Sequence, residues 1–200
     1  MIGRAVRAAG LAFMAAGLAA CSTTAGVALP DLDDWETRRA VLTTAEEWEF
    51  SGRIGVRAGD EGMNGKLWWR QDGTVYRARI SGPIGVGTMF INGDGREVSL
   101  TDGDGGVTEL DDAERDLRER YGWTIPVTSL PFWTLGVPDP ADDAAVEFND
   151  DGLAASIAQR EWRVTISEYA DSGGQAMPRR LMAESGDIRV RLLIDSWTFR

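Results

Sequence analysis

The sequence of 200 residues contains no histidine and only one cysteine. Without imidazole, general base catalysis by histidine and histidine ligation of a metal are both excluded. A glycine-rich phosphate loop followed by Lys-Ser or Lys-Thr is also absent, which argues against ATP-driven work. The sequence therefore gives no reason to expect a cofactor or a metal, and an enzyme is the least favoured class of function.

The single cysteine, Cys21, ends a pattern that is typical of an exported lipoprotein. Met1–Arg7 is positively charged, residues 8–17 are small and apolar, and Leu18-Ala19-Ala20 precedes the cysteine. A positive segment, a short apolar segment and small residues before a cleavage site form a secretory signal, and the apolar run is too short to span a bilayer. We therefore expect residues 1–20 to be removed and Cys21 to be acylated. The alternative is an uncleaved membrane anchor.

Lipidation of Cys21 also removes a lone thiol from an oxidising compartment. Two or more acyl chains hold a protein durably on a membrane. Ser22 follows the cysteine, where an aspartate commonly retains lipoproteins in the inner membrane, so we expect an anchor on the periplasmic face of the outer membrane. Residues 21–30 are small and uncharged and predict a tether, and residues 31–200 are enough for one domain.

Acidic residues outnumber basic ones, which gives a formal net charge of −11. Removing residues 1–20 takes away Arg4 and Arg7 and no acid, so the mature chain has a formal net charge of −13. A domain of this charge is a poor candidate for binding nucleic acid or anionic lipid surfaces.

Most of the chain has the two-residue period of half-buried strands. Ile188, Val190, Leu192 and Ile194, for example, alternate mainly with charged residues. About eleven short antiparallel strands predict an incomplete, strongly curved β-barrel, and helices are expected at residues 31–44, 111–121 and 128–135. Residues 71–74 predict a hairpin turn. Residues 102–106 resemble the start of a calcium loop, but Ala113 occupies the position of its bidentate glutamate, so a hairpin turn is expected there too.

Eight tryptophans indicate a wide apolar interior. Any one of them could simply fill a core. A half-open sheet lined with large aromatic side chains and covered by short helices would instead make a pocket for apolar ligands.

The segment at residues 81–87 is unusual because Ile84 is flanked by glycine, proline and valine only. An exposed apolar tip reduces solubility unless something contacts it. Two interpretations are about equally supported by the loop alone. Ile84 either tucks back into the mouth of the barrel or dips into a membrane.

Several stretches, taken in order, resemble the LolB family of outer-membrane lipoprotein receptors. The resemblance runs from about Trp35 to the end and includes Cys21. It is carried by Gly52–Val56, Trp69-Arg70-Gln71, Gly82-Pro83-Ile84-Gly85, Gly122–Pro126, Leu130, Trp133, Gly136, Pro138, Gln159, Trp162, Tyr169, Pro178 and Trp197.

The resemblance implies an antiparallel half-barrel with a helical lid and an apolar cavity. It implies a receptor that takes acylated lipoproteins from the soluble carrier LolA and inserts them into outer-membrane lipids. We expect the chain to be a monomer. Ile84 corresponds to an exposed leucine of the family that is needed for release, within a membrane-delivery loop formed by Gly82, Pro83, Ile84 and Gly85. The candidate acyl-chain cavity residues are Trp69, Trp133, Trp162, Trp197, Leu130 and Leu135. The chain departs from the family in its acidity and its many Gly-Asp hairpins.

Other functions fit the same half-barrel. A periplasmic lipid-binding or sensor lipoprotein would bind a ligand without accepting cargo from LolA. A structural envelope lipoprotein would fill its barrel with side chains. A periplasmic hydrolase would need a carboxylate pair or a serine-based site. The sequence favours the receptor first, the binding module second and the enzyme last.

Overall fold

The computed structural model describes residues 27–82, 87–121 and 124–200. In this part of the chain, eleven strands form a single sheet and three short helices pack against it. The helices are α1 (Trp35–Thr43), α2 (Ala113–Tyr121) and α3 (Leu130–Leu135). The strands are β1 (Glu47–Ala58), β2 (Glu61–Asp72), β3 (Val75–Ser81), β4 (Thr88–Asp94), β5 (Glu97–Thr101), β6 (Val107–Leu110), β7 (Ala145–Phe148), β8 (Ala154–Gln159), β9 (Trp162–Ser172), β10 (Gln175–Ser185) and β11 (Ile188–Phe199).

The sheet is antiparallel, and its strand order is β6-β5-β4-β3-β2-β1-β11-β10-β9-β8-β7. Every neighbouring pair but one is consecutive along the chain. The exception is β1 with β11, which pair from Trp48 with Phe199 to Ala58 with Ile188. Strands β6 and β7 form the two edges, so the sheet curls without closing. The incomplete barrel of about eleven strands predicted from the sequence is confirmed.

Alternation along the strands decides which face of the sheet is buried. In β3, Tyr76, Ala78 and Ile80 are buried, whereas Val75, Arg77 and Arg79 between them are exposed. Successive side chains of a strand point to opposite faces, so the apolar set forms one continuous inner face under the helices. The main core cluster combines this inner face with Leu42 of α1 and Trp133 of α3.

Each helix begins at a side chain that accepts a hydrogen bond from the first turn, or at a proline. Asp34 caps α1 through the N–H of Thr37 at 2.8 Å, and Asp112 accepts from the N–H of Arg115 at 3.1 Å at the start of α2. Helix α3 has Pro131 in its first turn and ends at Gly136, whose φ of 79° is the left-handed conformation that glycine favours. Within the described ranges, no helix is long and apolar enough to cross a membrane.

The observed boundaries differ from the sequence-based ones in small ways. Helix α1 starts at Trp35, because the three aspartates before it are non-helical and one of them is the cap. Gln71 and Asp72 belong to β2, which leaves a two-residue turn. Residues 102–106 form the expected turn, with Asp102 Oδ1 accepting from the N–H groups of Asp104 and Gly106 at 2.9 and 2.8 Å.

Gly52 lies at a close contact between β1 and β11, beside an irregularity in their register. A Cβ atom there would meet the carbonyl oxygen of Leu193, and this oxygen belongs to the backbone of a central strand and cannot move freely. At Gly55, three residues further along β1, the nearest atom to a Cβ would be the carbonyl oxygen of Met63 at 4.0 Å. The two glycines therefore make a matched pair of substitution sites.

We expect Gly52→Ala to lower the free energy of unfolding by about 2 kcal/mol or more, because overpacking forces the backbones of β1 and β11 apart. Gly55→Ala should change it by less than about 0.5 kcal/mol, because nothing lies in the way. Urea unfolding followed by tryptophan fluorescence measures both. Equal effects of the two substitutions would show that the close approach at Gly52 does not limit the pairing.

Candidate functional site

An apolar cavity of about 460 Å³ lies between α3, the end of α1 and the inner face of the sheet. Ligand pockets in proteins occupy roughly 300 to 1,000 Å³. The cavity opens beside the β2–β3 and β4–β5 turns. Its lining is mainly apolar, and it consists of Leu42, Thr43, Thr44, Ala45, Glu46, Trp48, Gln71, Gly73, Thr74, Tyr76, Gly95, Val127, Thr128, Pro131, Phe132 and Leu135.

Aromatic rings form a continuous strip from the cavity across the inner face. Trp69 stacks on Tyr76 with ring centres 4.5 Å apart and lies 6.3 Å from Phe50. The strip continues to Trp197, 5.1 Å from Phe50 and 5.7 Å from Trp48. Such a surface is wide and apolar with few hydrogen-bonding groups, which suits hydrocarbon ligands.

Tyr76 fits at the end of the strip because glycine stands opposite it. It pairs with Gly93, where a Cβ atom would collide with the tyrosine ring. Burial raises the pKa of Tyr76 to about 12, so its hydroxyl is uncharged at any physiological pH. The cavity wall is thus kept neutral on this side.

Helix α3 is attached to the sheet through one buried glutamine. Gln159 Oε1 accepts from Trp133 Nε1 at 2.8 Å and from the N–H of Asp139 at 3.0 Å, and its Nε2 donates to the carbonyl oxygens of Asp139 and Asp142. Asp139 in turn accepts from the Ser129 hydroxyl at 2.7 Å. These bonds satisfy buried polar groups on both sides of α3, so the helix is held in one position.

A second attachment is made by Arg160, which donates to both carboxylate oxygens of Glu114 on α2 at 3.1 and 2.6 Å. It also donates to Thr128 and Ser129, just before α3, at 3.1 and 3.2 Å. The hydrogen bond with Glu114 raises the pKa of Arg160. One guanidinium therefore joins α2, the start of α3 and the β8–β9 turn.

The β8–β9 turn that carries Arg160 has an uncommon backbone. Gln159 pairs with Trp162, and both residues between them have positive φ, 51° at Arg160 and 65° at Glu161. A two-residue turn of this kind normally uses asparagine or glycine, because other side chains are strained there. The contacts of Arg160 with Glu114 and Thr128 hold its side chain in this turn.

Arg38 on α1 is a buried cation without an acidic partner among the described residues. It donates to the carbonyl oxygen of Ala176, and its guanidinium lies 5.6 Å from the ring centre of Tyr169. Burial lowers the pKa of Arg38 and raises that of Tyr169. Within the described ranges, no group of acidic or cysteine side chains is placed to hold a metal ion.

The residues proposed from the sequence for an acyl-chain cavity lie in one region but not all at the cavity wall. Leu135 lines the cavity. Trp133 and Trp162 are buried behind it with ring centres 6.1 Å apart, Trp69 and Trp197 belong to the aromatic strip, and Leu130 packs against the core. Their contact with acyl chains stays a prediction.

Cys21 and three residues of the predicted membrane-delivery loop, Pro83, Ile84 and Gly85, lie outside the described residues. Gly82 directly follows the last residue of β3, whereas Tyr76 lies near the first residue of that strand. A strand of seven residues is roughly 20 Å long. The loop therefore starts at the other end of the barrel from the cavity.

The sequence-based set of site residues missed Trp48, Tyr76 and Phe132, which all line the cavity. In the sequence, nothing distinguishes Trp48 from the other seven tryptophans. The two-residue period places Trp48 and Tyr76 on buried faces. It does not show that α3 leaves space above them.

The comparisons with known proteins agree with the resemblance in the sequence. A sequence profile of the family "Outer membrane lipoprotein LolB" matches residues 46–197. The chain belongs to the LolB family. It is 33% identical to the outer-membrane lipoprotein LolB of Pseudomonas fluorescens, over 82% of this chain and 80% of that protein. It is 31% identical to LolB of Stutzerimonas stutzeri, over 94% of this chain and 91% of that protein.

Two solved structures have a similar fold. A LolA superfamily protein from Nitrosomonas europaea superposes with a TM-score of 0.52 at 10% identity, covering 82% of this chain and 93% of that one. A DUF1329 family protein from Desulfovibrio piger gives a TM-score of 0.54 at 8% identity, covering 81% of this chain and 89% of that one. At such low identities the likeness concerns the fold alone. The LolB assignment rests on the sequence matches and confirms the predicted family and outer-membrane location.

The ion pair of Arg160 with Glu114 can be tested against an exposed pair. We expect Glu114→Gln to lower the free energy of unfolding by about 1 to 2 kcal/mol, because a partly buried, two-point charged hydrogen bond is lost. Glu36→Gln, which breaks the exposed pair with Arg39 on α1, should cost less than about 0.5 kcal/mol.

Glu114→Gln should also weaken hydrogen-exchange protection at the start of α3. Amide exchange measured by mass spectrometry over residues 127–135 is the readout. Unchanged exchange in Glu114→Gln would show that Gln159 alone holds the helix.

Proposed function

We propose that this LolB-family chain is the outer-membrane receptor that accepts acylated lipoproteins from a LolA-type carrier and inserts them into the outer membrane. The observation that carries the proposal is the apolar cavity under α3, continued by the aromatic strip. No catalytic group is assigned to this site, and its proposed role is binding and transfer.

The free energy of acyl-chain burial explains why a receptor of this kind is needed. Each methylene group moved out of water contributes roughly 0.8 kcal/mol, so a lipoprotein with several acyl chains does not cross an aqueous compartment unshielded. A receptor without ATP can take the chains only by binding them more tightly than the carrier does. It can release them only into a bilayer that binds more tightly still.

The cavity must enlarge to hold a full set of chains. Helix α3 is only six residues long and is held by Gln159 and by Arg160. Breaking these few polar contacts would swing the helix away and open the space above the aromatic strip. Trp69, Trp133, Trp162, Trp197, Leu130 and Leu135 would then contact the chains.

The remaining parts of the chain complete the proposed cycle. Residues 1–20 are a signal peptide, Cys21 is the lipidated anchor, residues 21–30 are the tether, and residues 31–200 are the half-barrel domain. The domain acts as a monomer. Ile84, at the tip of the Gly82–Gly85 loop, perturbs the bilayer where cargo is delivered.

A transfer assay tests the receptor function. A radiolabelled lipoprotein is loaded on LolA, and the mature domain with Cys21→Ala is added. We expect the label to move to this domain. If the label stays on LolA while the domain still binds a fluorescent acyl probe, the domain is a lipid-binding module of another pathway. Absence of both transfer and probe binding would leave a filled structural barrel.

A variant of the cavity wall tests whether acyl chains bind in the cavity. Phe132→Glu places a charge in the apolar cavity, and we expect it to weaken acyl-probe binding by about tenfold or more, because a buried charge next to hydrocarbon is costly. Val107→Glu makes the same change at an exposed position on β6, where the side chain is 58% accessible. It should leave probe binding within about twofold. Equal losses in both variants would exclude the cavity as the binding site.

The delivery loop is tested by Ile84→Glu. We expect this variant to fold, to accept cargo from LolA and to bind the acyl probe like the unaltered domain, but to release cargo into vesicles more slowly, because a charge does not enter the hydrocarbon region. Ile84→Leu, which keeps an apolar side chain, should release normally. Acceptance lost together with release in Ile84→Glu would contradict this division of roles.

A further inference from the structure

Strand register arranges the exposed side chains of the outer face of β1–β4 in rows across the strands. Arg53 of β1 lies opposite Lys66 of β2. In the next row, Trp68, Arg79 and Phe90 lie side by side on β2, β3 and β4. In the row after that, Arg70 lies between Arg77 of β3 and Glu49 of β1, and Glu49 forms an ion pair with Arg200 at 2.8 Å. We call this set the basic patch, and it comprises Arg53, Lys66, Trp68, Arg70, Arg77, Arg79 and Phe90.

The cations of the basic patch are largely without acidic partners. Arg53 forms an exposed ion pair with Asp195 at 3.1 Å. Among the residues that the structure describes, the other four cations, Lys66, Arg70, Arg77 and Arg79, form no ion pair. The net charge of the whole chain argues against anionic partners, but charge is distributed unevenly, and the positive charges of the patch are collected at one end of this face.

Two aromatic side chains stand exposed among these cations. Trp68 is 38% and Phe90 is 45% accessible, and the Arg79 guanidinium lies 5.8 Å from the ring centre of Phe90. Both rings are on the face opposite the core and contribute nothing to the aromatic strip. Tryptophan and other large aromatic rings between cations are typical of surfaces that sit at the headgroup level of a bilayer.

The opposite end of the same strands carries acidic side chains. The last row of the outer face pairs Glu47 with Asp72, and Asp94 with Glu97. This acidic row adjoins the turns that border the cavity. Gly82 instead lies beside the basic patch, in a surface depression of about 1,020 Å³ that is also lined by Arg53, Lys66 and Trp68. Charge is therefore polarised along the strands, with the cavity at the acidic end.

We propose that the basic patch is the surface with which the domain lies on an anionic phospholipid bilayer. Phospholipid phosphates can move to match cations spread over several strands, whereas a folded partner would need fixed carboxylates at each position. The patch is also continuous with Gly82, where the loop that is proposed to enter the membrane begins. The acidic row is repelled by the same bilayer, so the cavity end points away from it.

This orientation rests on the proposed receptor function, in which cargo arrives at the cavity from the aqueous side. It specifies which face meets the membrane and which chemical group of the lipid is recognised. It also explains how the loop at the other end of β3 is brought to the bilayer without turning the cavity towards it.

Vesicle binding of the mature chain from residue 21, with Cys21→Ser, tests the proposal. The core lies within residues 29–199, so removing the signal peptide and the lipid disturbs none of it. We expect flotation with vesicles of phosphatidylethanolamine and phosphatidylglycerol and weak binding to vesicles of phosphatidylethanolamine and phosphatidylcholine. Binding should decrease as salt is added. No binding to the anionic vesicles at low salt would overturn the proposal.

Two triple variants that each lose three positive charges distinguish an effect of the patch on vesicle binding from an effect of net charge. Arg53→Gln, Lys66→Gln and Arg79→Gln together should weaken binding to the anionic vesicles by about tenfold or more. Arg163→Gln, Arg179→Gln and Arg180→Gln together, on the exposed face of β9 and β10, should change it by less than about threefold. Equal losses in the two triple variants would overturn the proposal.

Transfer from LolA in the absence of vesicles, and acyl-probe binding, should be the same in both triple variants and in the unaltered chain. If the patch variant binds vesicles normally but no longer accepts cargo, the patch docks a protein and the bilayer proposal is wrong. If the unaltered chain accepts no cargo but binds vesicles through the patch, the receptor function fails and the bilayer surface stands.

Discussion

The pairing of β1 with β11 is the contact on which the rest of the structure depends. All other neighbouring strands are joined by a direct connection, so only this pair joins the first and the last third of the described chain into one sheet. It also aligns Trp48 and Phe50 with Trp197, which makes the aromatic strip continuous. Gly52 permits the close approach, and the cavity lies between α3 and the inner face of the sheet that this pairing completes.

Much of the fold follows from the sequence, because alternation reports burial directly. The inner face of β3, the caps of α1 and α2 and the hairpin turns are all readable from local residue types. The pairing of β1 with β11 is not, because a strand's period is the same whichever strand lies beside it. The short β7 is also not evident from the sequence, because its four residues show little alternation.

The sequence predicts what kind of site the protein has, but not which residues line it. Tryptophan content indicates an apolar interior, and the resemblance points to Trp69, Trp133, Trp162 and Trp197. Whether a ring lines a cavity or fills a core depends on how far α3 stands from the sheet, which is set by Gln159 and Arg160 through contacts distant in sequence. The distribution of charge also depends on contacts distant in sequence. The total charge is acidic, whereas strand register brings five cations together at one end of the outer face of β1–β4.

The free edges of the sheet, at β6 and β7, determine how the interior can change in size. In a closed barrel every strand is bonded on both sides, so widening it would break a ladder of backbone hydrogen bonds. Here no such ladder joins β6 to β7 within the described residues, and both edge strands are only four residues long. The two edges of the sheet can therefore move apart or together without breaking such a ladder. The enclosed volume can then adapt to cargo bearing different numbers and lengths of acyl chains.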